Sequence, residues 1–135
     1  MSEVHTAAAN CEKTRLEKLL NGGLFRKPRD VNETDSNGET PLHHAASAGD
    51  DNYRIVDLLI EKGANIDARS NEGLSPLMVA CANGHTMVVK LLLDRGANVS
   101  MVNSGGHTAM HIAAESGCQE AVESLVASGG DLTAN

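Results

Sequence analysis

The sequence predicts an all-α solenoid in which short helix–turn–helix units stack side by side in one row. A ten-residue pattern occurs three times, at offsets of 35 and 33 residues, and an apolar segment that ends near a glycine follows each copy. The 135-residue chain contains one Phe, one Tyr and no Trp, so its core must form from small aliphatic side chains. Units of this length cannot bury their apolar faces alone and are typical of stacked architectures.

The first helix of each unit is predicted from its start signals. Thr40, Ser75 and Thr108 open the three copies, and a hydroxyl at the N-cap can accept a hydrogen bond from a first-turn N–H. Pro41 and Pro76 occupy the first helical position, where a missing N–H costs nothing. A glycine about two turns later is expected to stop each helix. The copies are Thr40–Gly49, Ser75–Gly84 and Thr108–Gly117.

The second helix of each unit is predicted from the apolar segments, which are Ile55–Asn65, Val88–Asn98 and Ala121–Asp131. Sequences rich in Asn, Asp, Ser and Gly precede the units and favour β-turns; they are Asp35–Gly38, Ser70–Gly73 and Asn103–Gly106. The 35-residue unit has two additional residues between Gly49 and Ile55. We expect them to lengthen a turn and to leave both helices intact.

The repeated residues resemble the ankyrin repeat, a 33-residue unit with the signature T-P-L-H-x-A. Thr40-Pro41-Leu42-His43-His44-Ala45 matches this signature in full. The resemblance implies one domain over 1–135, an ankyrin-repeat solenoid with β-hairpin connecting loops. Its units are a divergent N-terminal capping repeat (1–34, with an insertion at 24–29), a second repeat (35–69), a third (70–102) and a fourth (103–135).

The resemblance also implies a function. Such a chain would be a non-catalytic protein–protein interaction module that binds a partner protein or peptide through the concave surface of hairpin tips and first helices. We expect a monomer and a partner with apolar and basic side chains. The alternative is a regulatory segment of a longer multidomain enzyme, channel or scaffold. A hairpin-like end at 131–135 favours continuation, whereas Ser124, in a position otherwise occupied by Leu, favours a cap.

The charge balance and the cysteines restrict partners and location. With 11 Lys and Arg against 18 Asp and Glu, the net charge is −7, the wrong sign for binding nucleic acid. The apolar runs are too short to cross a membrane, so we expect no membrane partner. Three cysteines without a CxxC pair favour free thiols in the cytoplasm or the nucleus.

The acidic fourth repeat is either a solvated end or a face for a basic peptide; its acids are Glu115, Glu120, Glu123 and Asp131.

We expect no catalytic residue, no metal ligand and no cofactor. His43 and His44 are adjacent on one helix and therefore point about 100° apart, and the H-x-x-x-H spacing of helical zinc sites is absent. The family resemblance implies instead that His43 and His111 tie a helix start to its own and a neighbouring hairpin. Met78 occupies the same position in the third repeat. No base accompanies Cys11, Cys81 or Cys118 in a repeated motif.

Apolar residues at positions that are normally polar in this family predict the partner site. They are Leu74, Met78, Met101 and Val102. They come from adjacent units, so stacking should bring them onto one exposed patch of the kind that marks partner sites. The alternative is that they pack hairpin on hairpin. Polar candidates on the same surface are Asn71, Glu72, His107 and Glu115.

Asn32, in the sequence Asp30-Val31-Asn32, resembles the hairpin asparagine that oxygen-dependent asparaginyl hydroxylases modify in ankyrin proteins. We therefore predict it as a hydroxylation site. The basic sequence Arg26-Lys27-Pro28-Arg29 is interpreted as an exposed loop, with an interaction or targeting role as the alternative.

Overall fold

In the computed structural model, the described residues are His5, Ala8, Ala9 and 31–128. Residues 31–128 form three helix pairs and no β-strand. The elements are α1 (Pro41–Ala48), a 3-10 helix (Asp50–Asn52), α2 (Tyr53–Glu61), α3 (Pro76–Ala82), α4 (Thr86–Asp94), α5 (Ala109–Ser116) and α6 (Gln119–Ala127). The predicted all-α repeat fold is therefore confirmed. Every helix in this described part is shorter than a helix that crosses a bilayer.

The first helix of each pair begins at the predicted cap. The Thr40 hydroxyl accepts a hydrogen bond from the backbone N–H of His43, and the His43 ring accepts one from the backbone N–H of Thr40. The same reciprocal pair of bonds forms at Thr108, and Ser75 caps α3 through its hydroxyl alone. Capping satisfies N–H groups that a helix leaves without an internal partner.

Small side chains bring the first helices together in one row. Ala45 and Ala46 in α1, and Ala80 and Cys81 in α3, are 0% exposed, and α3 packs against both α1 and α5. Burial raises the pKa of the Cys81 thiol to about 12, so this cysteine stays a protonated, unreactive thiol at neutral pH. The small residues therefore allow close packing of the first helices.

Leucines fill the interior of the second row. The helix α4 packs against α2 and α6, and Leu59, Leu92 and Leu125 occupy equivalent repeat positions with 0% exposure. Fully burying such a side chain contributes roughly 1.5–3 kcal/mol to the free energy of unfolding. Because the same position is buried in each pair, the core continues along the stack.

The two additional residues of the second repeat lengthen the connection between α1 and α2, which includes the 3-10 helix. Both flanking helices keep their length, which confirms the prediction. Asn52, at the end of the 3-10 helix, is 0% exposed. Its amide nitrogen donates to the carbonyl of Ala8 (2.9 Å) and to that of Ala45 (3.0 Å). This side chain thus joins the second repeat to the helix that contains Ala8.

Several of the expectations above lie outside the described residues. They concern the insertion at 24–29, Cys11 and the segment 129–135 with Asp131.

Candidate functional site

The hairpin tips form a connected row along one edge of the stack. The first described tip closes through a hydrogen bond from the Asp35 N–H to the Glu39 carbonyl (3.0 Å), and the next closes from Ser70 to Leu74 (2.9 Å). The Asn71 N–H donates to the Asn37 carbonyl of the preceding tip, at 3.0 Å. An equivalent bond joins Ser104 to Glu72, also at 3.0 Å. The tips are thereby held at fixed spacing.

A glycine is required where two of these tips meet. Gly38 has φ +74°, a conformation that favours glycine, and a Cβ at this position would collide with the side-chain oxygen of Asn71. The same asparagine donates from its amide nitrogen to the Ser36 carbonyl, at 3.2 Å. The two tips are therefore in direct contact.

A groove of about 230 Å³ lies between the tips of the second and third repeats. Leu74 is half-buried in it and supplies an apolar surface, while Glu72 is exposed and Glu39 is half-buried. The lining residues are Asn37 and Glu39 on one tip, and Ser70, Asn71, Glu72 and Leu74 on the other. The groove can therefore contact both apolar and cationic groups of a partner.

Buried histidines hold these tips to the first helices. His43 is 0% exposed, and its Nε2 donates to the Leu74 carbonyl at 2.7 Å. Burial lowers the pKa of His43, although its hydrogen bond to Leu74 opposes the shift. Burial therefore favours the neutral ring, which accepts at Nδ1 from the Thr40 N–H (3.0 Å). The role that the family resemblance implies for this histidine is confirmed.

His5 repeats this arrangement one repeat earlier, which the sequence analysis missed. Its Nε2 lies 2.9 Å from the Glu39 carbonyl, and Glu39 is the counterpart of Leu74. The signal that could have found it is the spacing from His5 to Ala8, which equals the spacing from His43 to Ala46.

Asp35 organises the tip that carries Glu39. Its Oδ1 accepts from the N–H groups of Asn37 (2.9 Å) and Glu39 (3.0 Å), and its Oδ2 accepts from His44 Nε2 (2.8 Å). Burial alone would raise the pKa of Asp35, but these three hydrogen bonds outweigh it and lower the pKa to about 2. Asp35 is therefore ionised at neutral pH.

His5, Asp35 and His44 form a cluster that the sequence analysis did not anticipate. Potential metal-ligating atoms of the three side chains lie within 4.8 Å of one another. The Nε2 atoms of both histidines already lie at hydrogen-bond distance from protein oxygens, those of Glu39 and Asp35. Their hydrogen bonds account for the proximity of the three groups.

The structure divides the predicted partner residues into groups. Asn71, Glu72 and Leu74 line the groove together. Met101 is half-buried and Val102 is 39% exposed. His107 and Glu115 are exposed on the fourth repeat, outside the lining of the groove. Leu74 and Met101 also pack against the core, and their role in binding a partner stays a prediction.

The expectation that Met78 lies on the exposed patch is wrong. Met78 is 1% exposed and belongs to the core. It occupies the position of His43, which is also buried, so an apolar side chain here fills space that a histidine fills in the second repeat.

Asn32 links the end of the first repeat to the end of the second. Its amide nitrogen donates to the Gly63 carbonyl (3.1 Å), and its Oδ1 accepts from the Asn65 N–H (2.7 Å). Asp67 makes the corresponding bond one repeat later, to the Asn98 N–H at 2.9 Å. The hydroxylation of Asn32 stays a prediction.

Comparison with known proteins gives a match over nearly the whole chain. Residues 4–103 and 48–135 match the family described as ankyrin repeats in three copies. Similar proteins include the transient receptor potential cation channel subfamily A member 1 of Drosophila melanogaster, which is 36% identical over 84 residues, 60% of this chain and 7% of the channel. A putative ankyrin repeat protein of Neisseria meningitidis is 34% identical over 82 residues, 61% of this chain and 30% of that protein. Rabankyrin-5 of Mus musculus is 35% identical over 85 residues, 58% of this chain and 7% of that protein. The chain thus spans less than a third of each of these relatives.

Proposed function

Because the chain belongs to the ankyrin-repeat family, we propose that it is a non-catalytic module that binds a partner protein or peptide on its hairpin face. The hairpin face comprises the tips and first helices, residues 35–49, 69–84 and 101–117. Members of this family generally mediate protein–protein interactions, and stacked repeats present an extended surface for them.

The observation that carries the proposal is an apolar surface among the hairpin tips. Leu74 is half-buried in the groove, and Met101 and Val102 follow on the next connection, where Val102 is 39% exposed. Exposed apolar groups with a polar rim are typical of partner sites. The partner would place apolar side chains here, and basic side chains near the acidic residues of the face, which are Asp35, Glu39, Glu72 and Glu115.

Introducing a negative charge at the apolar positions tests the proposal. We expect Leu74→Asp and Met101→Asp to abolish capture of a partner that the unmodified chain retains from lysate and that mass spectrometry identifies. The matched control is Met87→Asp, since Met87 is 51% exposed on α4, away from the hairpin face. This control should retain the partner.

Circular dichroism separates loss of binding from loss of folding. Both test variants should keep the helical signal and a cooperative thermal transition, because neither side chain is fully buried. Folded variants that capture the identified partner as well as the unmodified chain would contradict the proposal. If either variant unfolds, Val102→Asp replaces it, because this side chain is the more exposed one.

The relatives support a second candidate function, a regulatory segment of a longer enzyme, channel or scaffold. The chain matches only 7% of the length of the channel and 7% of Rabankyrin-5. In that case the partner of the hairpin face would be part of the same polypeptide. The mass of the protein from its native source, compared with 14.1 kDa for this chain, distinguishes the two candidates.

We place this module in the cytoplasm or the nucleus and propose that it acts as a monomer. Cys81 and Cys118 are free thiols in the structure, which fits a reducing compartment. Binding through one face of a linear stack does not require a second copy.

A further inference from the structure

Two glutamates line the groove, one on each tip. Glu39 belongs to the tip of the second repeat and Glu72 to the tip of the third. Leu74 supplies an apolar part of the same lining. Because the Asn71 N–H binds the Asn37 carbonyl and the Asn71 amide binds Ser36, the two tips are fixed relative to each other.

The lining of this groove is negatively charged, because Glu39 and Glu72 are the only charged residues in the described part of the lining. Neither Glu39 nor Glu72 forms an ion pair with another residue that the structure describes. Arg69 is the one Lys or Arg on the hairpin face, and its guanidinium donates to the Val102 carbonyl. Residues 31–128 carry thirteen acidic and five basic side chains, so a cationic partner also meets a favourable overall field.

We propose that this groove binds an arginine side chain of the partner, with the aliphatic stem against Leu74 and the guanidinium between Glu39 and Glu72. The inference rests on the proposed function and specifies what the partner presents. A guanidinium carries five N–H donors in a planar fork and can donate to two carboxylates at once. One turn of a helix about 10 Å across occupies roughly 400 Å³. The groove, at about 230 Å³, therefore suits a single side chain better than a helix.

Titration with a minimal probe tests this site directly. N-acetyl-arginine amide is added to ¹⁵N-labelled protein, and backbone amide shifts are followed by NMR. We expect saturable shifts at Asn71, Glu72 and Leu74, with a dissociation constant on the order of millimolar for so small a ligand. N-acetyl-citrulline amide has nearly the same shape but no charge, and it should cause little change at the same concentrations.

A double variant tests the role of the two carboxylates. Glu39→Gln with Glu72→Gln should weaken binding of the arginine probe by about threefold or more, the size expected from losing two partly exposed ion pairs. Glu61→Gln removes an exposed charge at the end of α2, outside the hairpin face, and should leave the affinity unchanged. Added salt should weaken the arginine complex further.

Equal shifts with arginine and citrulline would overturn the inference, as would an unchanged affinity in the folded double variant. These outcomes differ from failure of the proposed function. If Leu74→Asp and Met101→Asp retain the protein partner while the groove binds arginine, the assignment of the partner site to the hairpin face fails and only the affinity of the groove for arginine stands. If the partner is lost from both Asp variants but the probe does not bind, the arginine site fails alone.

Discussion

At the scale of single residues, Asp35 connects the stability of the tip to pH. One carboxylate accepts three hydrogen bonds, from the N–H groups of Asn37 and Glu39 and from the ring of His44. Two of these donors belong to residues that line the groove. The ionised form of Asp35 therefore stabilises one wall of the candidate site.

The lowered pKa of Asp35 predicts a loss of stability in acid. Its folded pKa of about 2 lies below the ordinary value of 3.8 that an aspartate has in the unfolded chain, so its contribution is present above pH 4. That contribution is lost as the pH falls from about 4 to about 2, and this shift corresponds to about 2 kcal/mol. Urea unfolding measures the free energy of unfolding of the unmodified chain and of Asp35→Asn. The difference between the two free energies should be largest above pH 5 and should shrink toward pH 3.

The matched control for this measurement is Glu61→Gln, an exposed acid at the end of α2. It should follow the unmodified chain at every pH. The difference in the free energy of unfolding between Asp35→Asn and the unmodified chain could also stay constant from pH 7 to pH 3. That result would show that ionisation of Asp35 does not stabilise the tip.

Residues whose roles are local could be predicted from the sequence, and residues whose partners come from another repeat could not. The N-cap at Thr40 depends on its own first turn, so a hydroxyl before Pro41 was sufficient to locate it. Glu39 was not a predicted partner residue, because its place in the groove depends on the contact between tips 34 residues apart, at Asn37 and Asn71. Met78 was assigned to the surface because a repeat position alone does not show which side chain is buried.

At the scale of elements, α4 is capped by the preceding repeat. The side chain of its own N-cap residue, His85, forms no hydrogen bond to the first turn of the helix. Asp50, in the 3-10 helix of the second repeat, accepts instead from the N–H groups of Met87 (3.0 Å) and Val88 (3.4 Å). The longer connection in the second repeat thus supplies a carboxylate at the positive end of a neighbouring helix. Nothing within the sequence of α4 could have indicated this cap.

Removing that carboxylate should destabilise the third repeat. We expect Asp50→Ala to lower the free energy of unfolding by about 1 kcal/mol, as for other caps. Asp50→Asn keeps an acceptor and loses only the charge, so its cost should be smaller, about 0.5 kcal/mol. The control Asp94→Ala lies exposed at the other end of α4. Urea denaturation measures the free energy of unfolding of each variant. A loss for Asp50→Ala that is no larger than the loss for Asp94→Ala would contradict the capping role of Asp50.

At the scale of the whole molecule, the described stack ends on a helix pair with an exposed apolar face. Ala114 is exposed, whereas its counterpart Cys81 is 0% exposed. Val122 is half-buried, whereas Val89 at the same repeat position is 0% exposed. In a linear stack each unit is stabilised mainly by its neighbours, and among the described residues this pair contacts one neighbouring pair, whereas the pair formed by α3 and α4 contacts two.

The rate of backbone hydrogen exchange should therefore differ between the helix pairs. We expect backbone amides of α5 and α6 to exchange faster than those of α3 and α4, by about tenfold for each 1.4 kcal/mol of difference in local opening free energy. Mass spectrometry on peptides that cover 76–94 and 109–127 measures both pairs in one experiment. Equal protection would mean that the whole stack opens as one cooperative unit.

A substitution that fills a groove between α4 and α6 tests whether the two helix pairs open independently. A groove of about 180 Å³ between α4 and α6 is lined by Leu93 and Ser124, among others, and Ser124 occupies the position of Leu58 and Leu91. Replacing Ser124 with Leu adds apolar contact at an existing interface, where each buried CH₂ contributes about 0.8 kcal/mol. If α5 and α6 open independently of α3 and α4, Ser124→Leu should slow exchange in α6 more than in α3. A uniform slowing of exchange in all four helices would show instead that the two pairs open together, because a local gain would then stabilise the whole stack.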